Sequence, residues 1–199
     1  MTTDTSVITG TQTSSDDTAN DNKFLSFCLG HEEYGVEILR VREIIGIIDI
    51  TPLPQTPEYV KGVINLRGKI IPVIELRSKF SLPSVDYNDE TCIVVVEVSG
   101  LGGADQFQMG VIVDTVSEVI NIGQEHIESA PRFGCSLNTD YILGMGKTKD
   151  KVIILLDIDK VLTQEELGGL VNAAEDVPTA DPESRFTNES ITEEQRDAA

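Results

Sequence analysis

The sequence predicts an all-β fold. Three observations carry that expectation. The apolar runs are short; they either alternate with period two or are continuous Val/Ile; and Gly, Pro, Asn or Asp clusters separate them. Roughly nine or ten strands fit at the spacing of sandwich or barrel folds. No long helical pattern alternates with them, which disfavours a doubly wound α/β sheet. Apolar residues are 40% of the 199, aromatics only 5%, and Trp is absent, so Val, Ile and Leu must fill most of the core. A chain of this length makes one domain or two small intimate ones.

Element by element, residues 1–22 are polar and acidic and should not order by themselves. Structure is expected from Lys23. Leu25, Phe27 and Leu29 share one strand face, Gly30-His31-Glu32 turns the chain, and Tyr34, Val36 and Ile38 alternate on the returning strand. Leu39 to Ile48 mixes apolar residues with Arg40, Arg42 and Glu43; its period is ambiguous, and a helical turn followed by a strand is the reading taken. Thr56-Pro57 looks like an N-cap with proline at the first helical position, closed by Gly62. Val63–Leu66 and Ile70–Ile74 flank Arg67-Gly68-Lys69 as a hairpin, and Pro72, which lacks an N–H, marks an edge or a bulge.

Cys92 to Val98 reads as a strand buried on both faces. Ser99 to Gln106, with Gly100, Gly102 and Gly103, is a loop, and Phe107 to Val113 alternates as a half-buried strand that Val116 and Val119 extend past Asp114. Tyr141–Gly146 and Val152–Ile158 make the last hairpin. Thr163-Gln164-Glu165-Glu166 is a capping box ahead of Leu167, Leu170 and Val171. The domain is therefore expected over residues 23–171, with an acidic tail at 172–199 that should be loose.

Charge excludes whole classes of partner. The chain carries 34 Asp+Glu against 15 Lys+Arg, a formal charge of −19. The two tails hold −4 and −6 of it, and residues 23–171 carry −9. A nucleic-acid binder needs a basic face, and an anionic membrane would repel this one. No signal-like segment and no run of the ~18 apolar residues that a span needs is visible, so a cytoplasmic location without membrane insertion is expected. Cys28, Cys92 and Cys135 show no Cys-x-x-Cys spacing and fit a reduced compartment.

Reactive constellations are scarce. His31 and His126 have no Cys or His at metal-ligand spacing, so solvated loop histidines are expected and no cofactor is. Cys28 and Cys92 read as buried small hydrophobes, and Cys135 as a more exposed structural residue. Gly100-Leu101-Gly102-Gly103 lacks the Gly-Lys-Ser/Thr ending of a phosphate loop. Asp157/Asp159 and Glu165/Glu166 need no catalytic role in so acidic a chain, the second pair favouring a helix start. The residues offer no reaction, and no enzyme is expected.

Five ordered segments carry a resemblance. They are Phe24–Gly30 leading into Glu33–Ile38 and Val41-Arg42-Glu43-Ile44; Lys61-Gly62-Val63-Ile64-Asn65-Leu66-Arg67-Gly68; Ile71–Arg77; Gly110–Val116; and Tyr141–Gly146. Together they resemble the CheW domain of bacterial chemotaxis coupling proteins over about residues 23 to 171. The resemblance implies two intertwined SH3-like five-stranded barrels with a few short helices. It also implies a non-catalytic adaptor that links the cytoplasmic hairpin tip of transmembrane chemoreceptors to the regulatory domain of the histidine kinase CheA. Self-association in signalling arrays and recruitment to the membrane through receptors are further implications. Two other roles stay open at this point, an adaptor of another CheA-like pathway (pilus or surface motility) and a small-molecule-binding barrel.

On this resemblance the receptor-binding residues are Val41, Glu43, Arg67 and Val116. Arg67 in a turn and Glu43 would otherwise be read as solvated, and arginine suits an interface because its planar fork makes directional bonds while its stem packs. For Val41 and Val116 both core and inter-barrel groove are open readings. Asn65, Leu66 and Gly68 are expected to support the turn, Gly68 through a positive φ, Asn65 through backbone hydrogen bonding, and Leu66 by packing between the barrels.

Overall fold

The computed structural model describes residues 23–100, 106–130, 139–148, 151–163, 165–166 and 168–170. Both tails, the centre of the Gly-rich loop, Cys135, and the positions of Leu167 and Val171 lie outside the described residues. β1 (Lys23–Leu29) and β2 (Glu32–Glu37) form a hairpin, and a 3-10 turn at Ile38–Arg40 leads into β3 (Val41–Gly46). β4 (Val60–Leu66) and β5 (Lys69–Glu75) form the next hairpin, followed by the single-turn helix α1 (Leu76–Lys79). Then come β6 (Cys92–Ser99), β7 (Gln106–Val113), β8 (Thr115–Asn121), the two-residue β9 (Ile127–Glu128), β10 (Ile142–Lys147) and β11 (Val152–Leu156). The ambiguous Leu39–Ile48 stretch is thus a helical turn and then a strand, as read.

Two sheets result. The first has the order β8-β1-β2-β11-β10-β9 and the second β3-β6-β7-β5-β4. The chain begins in the first sheet, builds the whole second sheet, and returns to complete the first. β11 closes that return by pairing parallel to β2, with Ile154 opposite Tyr34 and Leu156 opposite Val36.

Period-two alternation assigns each strand's side chains to two cores. On β6, Val94, Val96 and Val98 point into a large core shared between the sheets, while Ile93 and Val95 point into a smaller core within the second sheet. On β11, Leu156 faces the shared core, and Ile153 and Leu155 join Phe24 and Ile122 in a third cluster on the far side of the first sheet. Two strand systems with private cores and a common one between them make the intertwined architecture. β9 adds a short sixth strand to the first sheet.

Two local readings need correction. No helix follows Thr56-Pro57: the segment is a turn closed by Val60 N–H donating to Pro57 O at 2.9 Å, and β4 begins there. Gly62 ends nothing; it sits inside β4 at φ +138°, where a Cβ would lie 2.0 Å from Thr51 O. Its missing side chain admits Thr51, which bridges to Val63 with hydrogen bonds of 2.9 and 2.8 Å. Pro72, in turn, lies on an interior strand opposite Val63. Because Val63 turns its N–H and C=O to Thr51, Pro72 directs its donor-less nitrogen towards β7, one residue ahead of the first paired position, Val73–Gly110. No ladder hydrogen bond is lost there.

The capping box forms as read. Thr163 N–H donates to Glu166 Oε2 at 2.7 Å, and Glu166 N–H donates to Thr163 Oγ1 at 3.3 Å. It starts a short helical segment that buries Leu170 in the shared core.

Candidate docking site

β3 and β4 are opposite edges of the second sheet, yet the sheet curls so that they meet. The Thr51–Val63 bridge joins the segment after β3 to β4 and closes the seam. Beyond the bridge, β4 ends in a two-residue hairpin loop whose residues both take positive φ, Arg67 at 53° and Gly68 at 85°. This mirror-image turn matches the twist of the strands. Asn65 Oδ1 accepts from Gly68 N–H at 2.9 Å and fixes the loop.

The turn aims Arg67 back across the seam. Its Nη2 reaches Glu43 Oε2 at 3.0 Å, and its Nη1 reaches Oε1 at 3.4 Å. The Arg67 side chain remains 80% exposed and that of Glu43 25%, so the fork presents charge to solvent. Leu66 anchors the loop from below. It packs against the second barrel's own core, beside Ile64 and Ile71, and not between the barrels as expected.

Val41 and Val116 lie on a different surface. Both are half-buried against the shared core. Val41 pairs with Val96 on β6, and Val116 pairs with Phe27 on β1 while its backbone faces the Cys92 sulfur at the start of β6. Burial pushes the Cys92 thiol's pKa up, with the nearby Val116 N–H opposing the shift. The structure therefore joins Glu43 to Arg67, and places Val41 and Val116 along the rim between the sheets.

Ile44 was missed. A bulge between Val41 and Glu43 resets the alternation, so Ile44, opposite Val94, returns to the face of Val41. It is 45% exposed, an apolar side chain open to solvent on the same face as half-buried Val41. A period-two reading puts Glu43 on Val41's face and hides Ile44. Only a large apolar residue inside a charged edge strand hints at it.

Several carboxylates brace the architecture around this rim. Asp114, at the crossing from β7 to β8, accepts from Arg77 Nε and Nη2, each at 2.6 Å, and from Gly30 N–H at 2.7 Å. Burial favours its protonated form, but those three donors outweigh it and hold the pKa below the ordinary value. Glu75 is buried and accepts from Lys61 at 2.8 Å, from Tyr87 at 2.8 Å and from Ser78; the same balance lowers its pKa. Glu166 accepts from Lys79 and Tyr59, each at 2.6 Å, and these bonds overcome burial and bring it down to about 2. Asp159 ties Arg40 at 2.6 Å to Ser99 N–H at 2.7 Å. Asp157/Asp159 and Glu165/Glu166 are thus found in turns and caps.

Away from the rim, an open cleft of about 510 Å³ lies between the 54–60 segment and the helix, lined by Pro54, Pro57, Tyr59, Glu165, Glu166 and Leu170 among others. Glu166 is already committed there to Lys79 and Tyr59. Among the described residues no group of three or more His, Cys, Asp and Glu could hold a metal ion, and His31 and His126 are exposed. No helix among them is long and apolar enough to cross a membrane.

Comparison with known proteins gives one answer. Residues 23–166 match the family model described as a CheW-like domain. Chemotaxis protein CheW of Klebsiella aerogenes is 41% identical over 152 residues, spanning 76% of this chain and 88% of that protein. The protein of the same name from Treponema pallidum is 35% identical over 159 residues, 77% of this chain and 90% of its own. Among solved structures, the scaffolding protein TtCheW from Thermoanaerobacter tengcongensis superposes with a TM-score of 0.65 at 37% identity, covering 73% of this chain and 96% of that one. That likeness carries the SH3-like fold class expected from the sequence. With two thirds of the chain or more aligned at such identity, and every quoted segment inside the match, the chain belongs to the CheW family of chemotaxis coupling adaptors.

Proposed function

We propose that this protein binds, without catalysis, both the cytoplasmic hairpin tip of transmembrane chemoreceptors and the regulatory domain of CheA, from the cytoplasm. The observation that carries the receptor half is an apolar rim between the barrels, exposed Ile44 with half-buried Val41 and Val116, on a molecule whose second barrel also presents the solvent-facing Arg67–Glu43 fork. A charged, directional group together with an apolar rim suits an amphipathic helix laid into a groove. Scale supports it. Val41 pairs with Val96 and Val116 faces Cys92, four residues apart on β6, which at the strand rise of ~3.3 Å is about 13 Å, near the ~10–12 Å diameter of a helix.

The test is co-sedimentation of the protein with receptor-containing membranes and purified CheA, with kinase autophosphorylation read alongside. Saturable binding to both, with receptor-dependent kinase activity, is the expected result. A folded sample that sediments with neither moves the protein out of this pathway.

A further inference from the structure

Arg77 and Asp114 end or punctuate two of the quoted segments, yet the docking site does not use them. Their geometry is that of a junction. Asp114 stands where the chain leaves the second sheet for the first. Its carboxylate takes both oxygens' worth of hydrogen bonds from Arg77, on the helix that follows β5 of the second sheet, and from Gly30 N–H, in the β1–β2 turn of the first. Asp114 N–H donates to Cys28 O at 3.2 Å, and Arg77 Nη1 donates to Pro83 O at 2.7 Å. Arg77 is 11% exposed and Asp114 24%, so the clamp is drier and more constrained than the Arg67–Glu43 fork.

Two residues after the clamp comes Val116. One side of its backbone pairs with Phe27 of β1, and it faces Cys92, which opposes Gly46 at the end of β3. The position of Val116 relative to β3 therefore depends on how the crossing at Asp114 is held. We infer that the Arg77–Asp114–Gly30 clamp is a positioning element for receptor binding: it sets the opening between Val116 and the β3 residues Val41 and Ile44. This rests on the reading that the receptor helix occupies that rim. A bidentate guanidinium–carboxylate pair fixes both distance and plane, which an ammonium in the same place does not. Arg77→Lys should keep the charge and lose the plane.

The experiment measures affinity of the full-length protein for a receptor hairpin fragment displayed on membranes, for Asp114→Asn and Arg77→Lys, alone and combined with Val116→Ala or Arg67→Ala. Thermal melts establish that each variant is folded. The expected result is that either clamp variant weakens binding about five- to tenfold, the scale of one lost positioning contact. That loss should nearly vanish in the Val116→Ala background and persist in full with Arg67→Ala. A general loss of stability would not discriminate between the two backgrounds. If Val116→Ala weakens binding but the clamp variants leave it unchanged, or add to it independently, the positioning role is wrong and the docking reading stands. If Val116→Ala itself changes nothing, both fall together.

Discussion

The molecule holds two arginine–carboxylate pairs of nearly the same chemistry in opposite settings. Arg67 meets Glu43 across an exposed seam at 3.0 and 3.4 Å, while Arg77 meets Asp114 inside a junction at 2.6 Å on both arms. Solvent separates their roles. An exposed pair contributes little to folding, since water competes for both charges. Its arginine is free to exchange its carboxylate for a partner's. A pair mostly out of water cannot be opened without stranding a charge, so it fixes geometry. The family motifs contain both arginines, and sequence spacing does not distinguish them.

The comparison can be broken in stages. The largest effect is expected at the seam itself. Gly62→Ala drives a Cβ to within 2.0 Å of Thr51 O at φ +138°, and should cost more than about 2 kcal/mol, or prevent folding. A melting temperature within a degree or two of wild type would show that the seam yields easily. Next, Arg77→Ala strands Asp114 and should cost about 2–3 kcal/mol, below the full penalty of a buried pair because Asp114 keeps some solvent, and lower the melting temperature by roughly 5–10 °C. An unchanged melt would place the two arginines in one class after all.

Acid should act on the inner pair in the same sense. Asp114, Glu75 and Glu166 all have folded-state pKa values below the ordinary ones, which are 3.8 for Asp and 4.5 for Glu. The unfolded chain then binds more protons as pH falls. Their stabilisation is complete above those ordinary values and drains away as pH drops towards the folded value of about 2 at Glu166. Urea midpoints taken from neutral pH down to about pH 2 should fall steeply only below the ordinary carboxylate range, and less steeply in Asp114→Asn. The smallest effect on folding belongs to Arg67→Glu. Stability should move by no more than about 0.5 kcal/mol, while affinity for the receptor fragment falls about tenfold or more. A pulldown indifferent to this change would remove Arg67 from the site.

Much of this was legible in the sequence because strands write themselves in period two. Cys92–Val98 showed a strand buried on both faces, and Thr163–Glu166 spelled out its own cap. What stayed hidden depended on events off the strand axis. Gly62 looked like a helix end because a close approach by Thr51, eleven residues earlier in the chain, leaves no trace in spacing. Pro72 looked like an edge because its missing donor reveals nothing about which neighbour it faces. Ile44 was lost to a one-residue bulge that turned the alternation over. The partnership of Glu43 with Arg67 required the sheet to curl until its two edges met, which is a property of the closed barrel.

The return of the chain to its starting sheet also has a temporal meaning. The second sheet uses one contiguous stretch, β3 to β7, so its contacts are available as soon as that stretch exists. The β1–β2 hairpin is made first but must wait for β8 and β11, whose pairings with it span most of the domain. Such distant pairings form slowly, and waiting strand edges are exposed to aggregation meanwhile. On the ribosome the middle of this protein is the template, and its beginning is the last part to be finished.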